Sequence, residues 1–129
     1  MIEENLRAVL RSIEESRAKR KIADPKEPVR LVAVTKNHGV DEMREALDGG
    51  VTDIGENRIQ EAREKFETLE RDATWHLIGH LQKNKAKYAV KLFDLIHSVD
   101  TLELACALDK EAQKIDKVQK ILVQVNLAK

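Results

Sequence analysis

Strand-length segments, most of them rich in valine, isoleucine and leucine, recur along this chain at a nearly constant spacing, with helix-like segments between them. The strand-length segments occupy 29–35, about 52–55, 75–79, 95–99 and 120–126. Their starts, counted from about residue 30, are 22, 23, 20 and 25 residues apart. Strands that alternate with helices in this way form consecutive βα units and pair in parallel within one sheet. The first run, VRLVAVT, lacks polar–apolar alternation, which predicts a strand covered on both faces.

Apolar residues at helical spacing predict a helix before the first strand and another after each of the first four strands. The later helical segments are 40–47, about 58–71, about 84–92 and the residues that follow 100. The inward-facing positions predicted from this spacing are Ile2, Leu6, Val9, Leu10, Ile13, Met43, Ala46, Leu47, Ala62, Phe66, Leu69, Leu104, Ala105, Leu108, Ala112 and Ile115.

Turn and capping residues mark where these helices begin and end. Pro25 and Pro28 are predicted to close the N-terminal helical segment with a turn, and Gly49–Gly50 to stop the second helix. Asp100 and Glu103 have the spacing of a capping box at the start of the last helix.

Consecutive βα units of this kind fit either a doubly wound sheet or a β/α barrel. No G-x-G-x-x-G motif follows the first strand, and residues 36–39 offer no cradle for a pyrophosphate. These observations favour an α/β fold of the β/α (TIM-type) barrel kind, with an extra N-terminal helix. Because five strands do not close an eight-strand barrel, residues 1–129 are predicted to form a single domain that holds only about the first five strands.

Composition and hydropathy exclude several classes of protein. The 23 Lys and Arg residues balance 23 Asp and Glu residues, whereas proteins that bind nucleic acids or anionic membranes carry a basic excess. No apolar run approaches the roughly 20 residues that span a bilayer, and the N-terminus lacks a secretory apolar region. Cys106 is the only cysteine, and its apolar helical setting predicts a buried side chain. We therefore expect a cytoplasmic protein with no nucleic-acid or membrane partner.

Ligands of parallel α/β folds bind at the carboxyl ends of the strands. The polar residues that follow the predicted strands are Lys36, Glu56–Asn57, His80, Gln82, Ser98, Asp100 and Asn126. Lys36 stands out because it directly follows the first strand, where loss of hydration would favour a neutral amine that can form a Schiff base with an aldehyde. A lysine that extends into solvent is the ordinary alternative. Asn57 is placed to cap the next helix, and its amide can also hold a ligand.

Three histidines raise the question of a metal site. His76 and His80 share one face of the third strand, and His97 lies on the next strand. No carboxylate or cysteine accompanies them at ligand spacing, and the sequence lacks the helical H-E-x-x-H motif. Ordinary hydrogen-bonded imidazoles are therefore expected, and no metal site is predicted.

Five sequence motifs occur in a characteristic order: AVTK (33–36), GENRIQE (55–61), WHLIGHLQKNK (75–85), HSVD (97–100) and QVN (124–126). In these motifs the sequence closely resembles the YggS/PROSC family of pyridoxal 5′-phosphate (PLP) homeostasis proteins. The resemblance implies a barrel similar to the N-terminal domain of alanine racemase, with PLP held as a Schiff base on the lysine that ends the first strand, here Lys36. It also implies that Asn57 lies beside the cofactor.

Family members are described as cytoplasmic PLP carriers or buffers without established turnover, so the resemblance implies no catalytic residues. It implies PLP itself as the ligand and PLP-dependent enzymes as recipients. The alternatives are a racemase-like PLP enzyme, a Schiff-base aldolase that uses Lys36 directly, and a remnant that no longer binds PLP well.

Two departures from the family bear on these expectations. Asn37-His38-Gly39 stands where many members have a proline. The family's barrel also continues for roughly another hundred residues, in agreement with the size of a full barrel, and its phosphate-binding loops follow the late strands. We therefore expect either a shortened form or a barrel completed by another chain. An incomplete sheet of this kind is also expected to self-associate.

Overall fold

The computed structural model describes residues 1–21 and 28–127. Its strands are β1 (Val32–Val34), β2 (Asp53–Glu56), β3 (Thr74–Leu77), β4 (Leu95–Val99) and β5 (Lys120–Val123). Its helices are α1 (Ile2–Lys19), α2 (Val40–Asp48), α3 (Ile59–Leu69), α4 (Ala86–Leu92) and α5 (Leu102–Lys114), and a single 3₁₀ turn over Lys83–Lys85 leads into α4. The strands and helices alternate as the sequence predicts, although β1 and β5 are shorter than the apolar runs that contain them.

The strands pair in chain order, β1-β2-β3-β4-β5, and every neighbouring pair is parallel. A doubly wound sheet reverses its strand order at a switch point, whereas a β/α barrel adds each strand beside the previous one. The observed order therefore confirms the predicted α/β class and its barrel-type topology over these five strands.

The core lies between one face of the sheet and the helices that cover it. The buried strand residues on this face are Ile54, Trp75, Leu77 and Ile96, and the buried helix residues include Met43, Ala62, Leu69, Leu104 and Leu108. Burying each aliphatic or aromatic side chain of this kind contributes roughly 1.5–3 kcal/mol. This core, packed between the sheet and the helices, fixes the carboxyl ends of the strands relative to the helices that follow them.

The opposite face of the sheet is more open, and this corrects the prediction that the first strand is covered on both faces. Val34 is 49 % exposed and Leu122 is 48 % exposed. Both lie on outer strands, because β1 pairs only with β2 and β5 pairs only with β4 among the described residues. An outer strand lacks the neighbouring side chains that would bury its second face.

Several helix positions that the periodicity predicts to face inward are instead exposed: Val9, Leu10, Phe66 and Ile115. On α3 the buried residues are Ala62, Lys65 and Leu69, so Phe66 lies at the edge of this stripe, with its ring centroid 5.4 Å from that of Trp75. The pattern fails there because a lysine, which the periodicity reads as polar, takes the inward position.

The prediction that Cys106 is buried is also wrong, because its side chain is exposed. Leu104 and Leu108 form the buried face of α5. Two residues along a helix correspond to a rotation of about 200°, so a residue midway between two buried ones points away from the core.

The helix ends match the sequence in part. Gly49 follows the last residue of α2, as predicted, and Gly50 has a φ of 105° that favours glycine. The start of α5 is capped by Thr101, whose side chain accepts a hydrogen bond from the Leu104 N–H at 3.1 Å. The predicted capping box from Asp100 is therefore wrong by one residue. The predicted turn residue Pro25 lies outside the described residues.

Candidate functional site

Lys36 lies at the carboxyl end of β1, on the edge of the sheet where the sequence predicts a ligand. Strand pairing extends past β1, since the Thr35 N–H donates to the Gly55 carbonyl at 2.9 Å. The Lys36 side chain is exposed, and its ammonium has no hydrogen-bond or ion-pair partner among the described residues. The predicted loss of hydration at this amine is therefore wrong for this structure, because β1 is an outer strand.

Lys36 occupies a tight turn. The His38 N–H donates to the Thr35 carbonyl at 3.1 Å, which closes a four-residue turn with Lys36 at its second position. Asn37, at the third position, has a φ of 64°. A left-handed residue at the third position is the arrangement of a type II turn, and asparagine tolerates it better than most residues.

Helix α3 contacts both peptide groups that flank Lys36. The Lys65 ammonium donates to the Thr35 carbonyl at 2.7 Å. On the other side, the Asn37 N–H donates to the Glu61 carboxylate, 2.8 Å from Oε2. The backbone on either side of Lys36 is thus held by two side chains of one helix.

The Lys65 ammonium is buried in a cluster of charges. Its side chain is 9 % exposed and that of Glu56 is 0 % exposed, and Lys65 Nζ lies 3.0 Å from Glu56 Oε2. Lys65 Nζ also lies 3.2 Å from Glu61 Oε2, and the Thr35 hydroxyl donates to Glu56. The three ammonium protons therefore have acceptors in Glu56, Glu61 and the Thr35 carbonyl, as a buried charge requires.

Glu61 is held in its charged form. Burial alone raises the pKa of its carboxyl, but the Asn37 N–H, Lys65 and the charge of Arg58 outweigh this and hold the pKa below its usual value. Glu61 is therefore a charged acceptor for the Asn37 peptide, and such a hydrogen bond is stronger than one between neutral groups.

Asn57 follows β2, the strand that pairs with β1. Val34 pairs with Gly55, so Lys36 and Asn57 both follow the carboxyl ends of these two neighbouring strands. Arg58 occupies the N-cap position of α3, and its side chain makes no capping hydrogen bond. The capping role predicted for Asn57 is therefore wrong. The Asn57 amide has no hydrogen bond to another described residue.

A groove of about 650 Å³ opens at the same edge of the sheet, and Asn57, His80 and Gln82 contribute to its lining. The structure thus brings together three of the polar residues that follow strands. Lys36 is outside this lining, Ser98 is buried, and Asp100 and Asn126 are exposed elsewhere on the edge.

A chain of hydrogen bonds crosses the face of the sheet that points away from the helices. Asp53 Oδ2 lies 2.7 Å from His76 Nε2, and His76 Nδ1 lies 2.8 Å from His97 Nε2. His80 is exposed and takes no part. Sequence spacing did not reveal Asp53 as the partner of His76, because strand register brings together residues that are 23 positions apart.

Neighbouring groups shift the pKa values of two residues in this hydrogen-bond chain, Asp53 and His97. Burial raises the pKa of Asp53, but hydrogen bonds from Thr52 and His76 and the charge of Arg30 outweigh it and hold that pKa below its usual value. Burial, and to a lesser extent the charge of His76, lower the pKa of His97. In the described part of the chain, no three His, Cys, Asp or Glu side chains form a group that could hold a metal ion.

Residues 5–128 match the family model for the N-terminal domain of alanine racemase. The chain belongs to this family. Within the alanine racemase N-terminal domain family, it is 46 % identical over 101 residues to the pyridoxal phosphate homeostasis protein of Synechocystis sp., covering 77 % of this chain and 46 % of that protein. It is 33 % identical over 132 residues to the protein of the same name from Pasteurella multocida, covering 98 % of this chain and 55 % of that protein.

A solved structure shares the fold. PipY from Synechococcus elongatus, determined with PLP bound, is 44 % identical and has a TM-score of 0.82, covering 98 % of this chain and 55 % of PipY. These similarities confirm the resemblance to the YggS/PROSC branch of the alanine racemase N-terminal domain family. The chain spans about half the length of the curated relatives it matches. None of the helices described here has the length and apolar character needed to cross a bilayer.

Proposed function

We propose that this chain binds PLP in cofactor homeostasis and holds it as a Schiff base on Lys36, without catalytic turnover. The observation that carries the proposal is the setting of Lys36: an amine with no partner among the described residues, on a backbone held from both sides, at the ligand-binding edge of the sheet. The names of the curated relatives and the PLP bound to PipY support the same ligand.

The residues present fit the reactive half of PLP. A primary amine is the group that reacts with its aldehyde, and the Asn57 amide, which neither caps α3 nor bonds a described residue, is available for a substituent of its ring. Gly79 carries no side chain, which lets the backbone that carries the Asn57 amide pack against the end of β3. Phosphate-binding loops after later strands would supply the remaining contacts.

The chemistry at Lys36 is an ordinary condensation. The neutral Nζ forms a bond to the aldehyde carbon, one water molecule leaves with the carbonyl oxygen, and a C=N bond results. Exposure of Lys36 to solvent allows its proton to leave to water. Asn57 orients the ring, while the turn around Lys36 fixes the start of the lysine side chain.

The absence of turnover is part of the proposal. The curated relatives are named homeostasis proteins, which favours a carrier over an enzyme. Further parts of the proposal are a single domain over residues 1–129 that forms the first half of a barrel, a cytoplasmic location, transfer to PLP-dependent enzymes, and self-association through the open sheet.

The experiment that tests the proposal is a visible absorption spectrum after addition of PLP, followed by borohydride reduction and mapping of the modified lysine. We expect a Schiff-base band in the wild type and in Lys110→Ala, which removes an exposed lysine of α5, and its loss in Lys36→Ala. Reduction spread evenly over surface lysines, or no band in folded protein, contradicts the proposal. Racemisation of amino acids that is lost in Lys36→Ala would favour the racemase-like enzyme instead.

A further inference from the structure

The turn that carries Lys36 is held by α3 in addition to the hydrogen bond from the Thr35 N–H to Gly55 of β2. The Thr35 carbonyl accepts from Lys65 Nζ at 2.7 Å, and the Asn37 N–H donates to Glu61 at 2.8 Å. These are the two peptide groups on either side of Lys36. Together they determine the direction in which its side chain leaves the backbone.

Lys65 is an unusual residue for its place in the helix. It occupies a buried position between Ala62 and Leu69, where an aliphatic side chain would fill the space at no electrostatic cost. Buried ion pairs often stabilise a fold no better than apolar residues of similar size. A hydrogen-bond donor is needed at this position only to bind the Thr35 carbonyl and the Glu56 carboxylate and keep them in place.

Glu61 has a comparable role on the other side of the turn. Asn37 adopts a left-handed conformation in the turn that follows β1. Its N–H donates to Glu61, whose carboxylate is in turn fixed by Lys65. One ammonium thus orders both contacts to the turn.

From this geometry we infer that Lys65 and Glu61 are positioning residues for Lys36, holding its amine in the orientation in which it captures the aldehyde of PLP. The inference rests on the proposed function. Neither residue touches the cofactor; both act through the backbone of Lys36. Holding a reacting group in place before the reaction raises its rate without adding any contact to the ligand.

A double variant, Lys65→Met with Glu56→Gln, separates positioning from folding. Methionine keeps an unbranched chain in the buried stripe, and glutamine removes the charge that Lys65→Met alone would leave buried without a partner. Glu64→Gln, an exposed change on α3, is the matched control. Circular dichroism and urea unfolding establish that each protein is folded before its reactivity is measured.

Two capture rates are then measured at Lys36 by reductive trapping and peptide mass spectrometry, one with PLP and one with formaldehyde. Formaldehyde is small enough to reach the amine from any direction, whereas PLP must meet it in one orientation. We expect PLP capture by the double variant to fall about tenfold while formaldehyde capture changes by less than about twofold. A purely structural role for Lys65 would leave the ratio of the two rates unchanged.

Hydrogen exchange gives a readout that needs no PLP. The amides of Lys36, Asn37 and His38 are expected to exchange about tenfold faster in the double variant than in Glu64→Gln, because the turn loses one of its two contacts to α3. A second pair of variants tests the Glu61 contact: Glu61→Gln retains an acceptor oxygen for Asn37 and is expected to capture PLP faster than Glu61→Ala.

The outcomes separate the inference from the function on which it rests. A wild-type Schiff base on Lys36, together with equal PLP capture by the double variant and Glu64→Gln, overturns the positioning role and leaves the proposed function standing. If the double variant does not fold, wild-type capture by both Glu61 variants overturns it instead. A wild-type protein that forms no Schiff base at Lys36 overturns both.

Discussion

Gly79 and Asn57 approach so closely that no side chain fits between them. A Cβ atom built on Gly79 would lie 2.5 Å from the Asn57 carbonyl oxygen and 2.9 Å from its Cα atom. Both neighbours are backbone atoms, which cannot move aside without displacing the end of β2. The contact brings the ends of β2 and β3 together at the groove and fixes the backbone that carries the Asn57 amide.

The first prediction concerns this contact. Gly79→Ala is expected to destabilise the protein by about 1–3 kcal/mol, because the added methyl group forces the ends of β2 and β3 apart. Gly39→Ala is the control, since a Cβ there meets nothing within 4 Å. Urea unfolding measures both, and an equal loss in the two variants would contradict the role assigned to Gly79.

The left-handed turn residue after Lys36 gives a second prediction. Asn37 has a φ of 64°, so Asn37→Val is expected to cost about 1–2 kcal/mol, because a β-branched residue is strained in this conformation. Asn37→Gly is expected to stay within about 0.5 kcal/mol of the wild type. Thermal and urea unfolding of the two variants check this, and a valine variant as stable as the glycine variant would argue against the turn.

Much of the fold could be predicted from the sequence because its signals are local. The strand-length segments at regular spacing predict parallel strands, and parallel strands end on one edge, which is why the sequence predicts Lys36 and Asn57 at the same edge of the sheet. The shared motifs identify the family for the same reason, since each is a short continuous segment.

The parts that could not be predicted depend on contacts between distant residues. Lys65 reads as a polar helix residue, and only the position of Glu56 on the neighbouring strand makes its burial favourable. Phe66 is apolar and has helical spacing, so the pattern predicts a core residue, but it lies at the edge of the buried stripe of α3. Asp53 and His76 meet through strand register, which hydrophobic patterning does not fix to the single residue.

The pKa of His97 leads to a third prediction, on pH and stability. Burial, and to a lesser extent His76, lower the pKa of His97 from its usual value of 6.5. As the pH falls below 6.5, the unfolded chain takes up a proton that the folded chain resists, so the unfolded state binds more protons. The contribution of His97 to stability is therefore complete above pH 6.5 and is lost as the pH falls through the lowered pKa.

The measurement is urea unfolding across this range in the wild type and in His97→Gln. We expect stability to decline from pH 7 towards pH 5 in the wild type and to decline less in the variant. Asp53 does not interfere, because its pKa lies below 3.8 and its own contribution is lost only under more acidic conditions. Parallel pH profiles for the two proteins would rule out His97 as the group responsible.

A fourth prediction concerns Lys117, whose ammonium donates to the Val90 carbonyl at 2.6 Å and the Phe93 carbonyl at 2.8 Å. These carbonyls lie at the carboxyl end of α4, where the last carbonyl groups of a helix receive no hydrogen bond from amides of the same helix. Lys117→Met is expected to cost about 1–3 kcal/mol by leaving them unpaired. Lys114→Met removes only an exposed ion pair with Glu111 and is expected to cost less than about 0.5 kcal/mol. Equal costs would indicate that the α4 carbonyls bond water instead.

The last prediction concerns the open face of the sheet. Val34 and Leu122 are each about half exposed on its two outer strands, at 49 % and 48 %, and unpaired strand edges with apolar side chains favour association. We expect the apparent mass in sedimentation to rise with concentration, and the variant Val34→Lys with Leu122→Lys to remain a monomer. Val118→Lys changes a residue that is 93 % exposed but lies in the loop before β5. If it abolishes association equally, apolar exposure in general is responsible, rather than this face of the sheet.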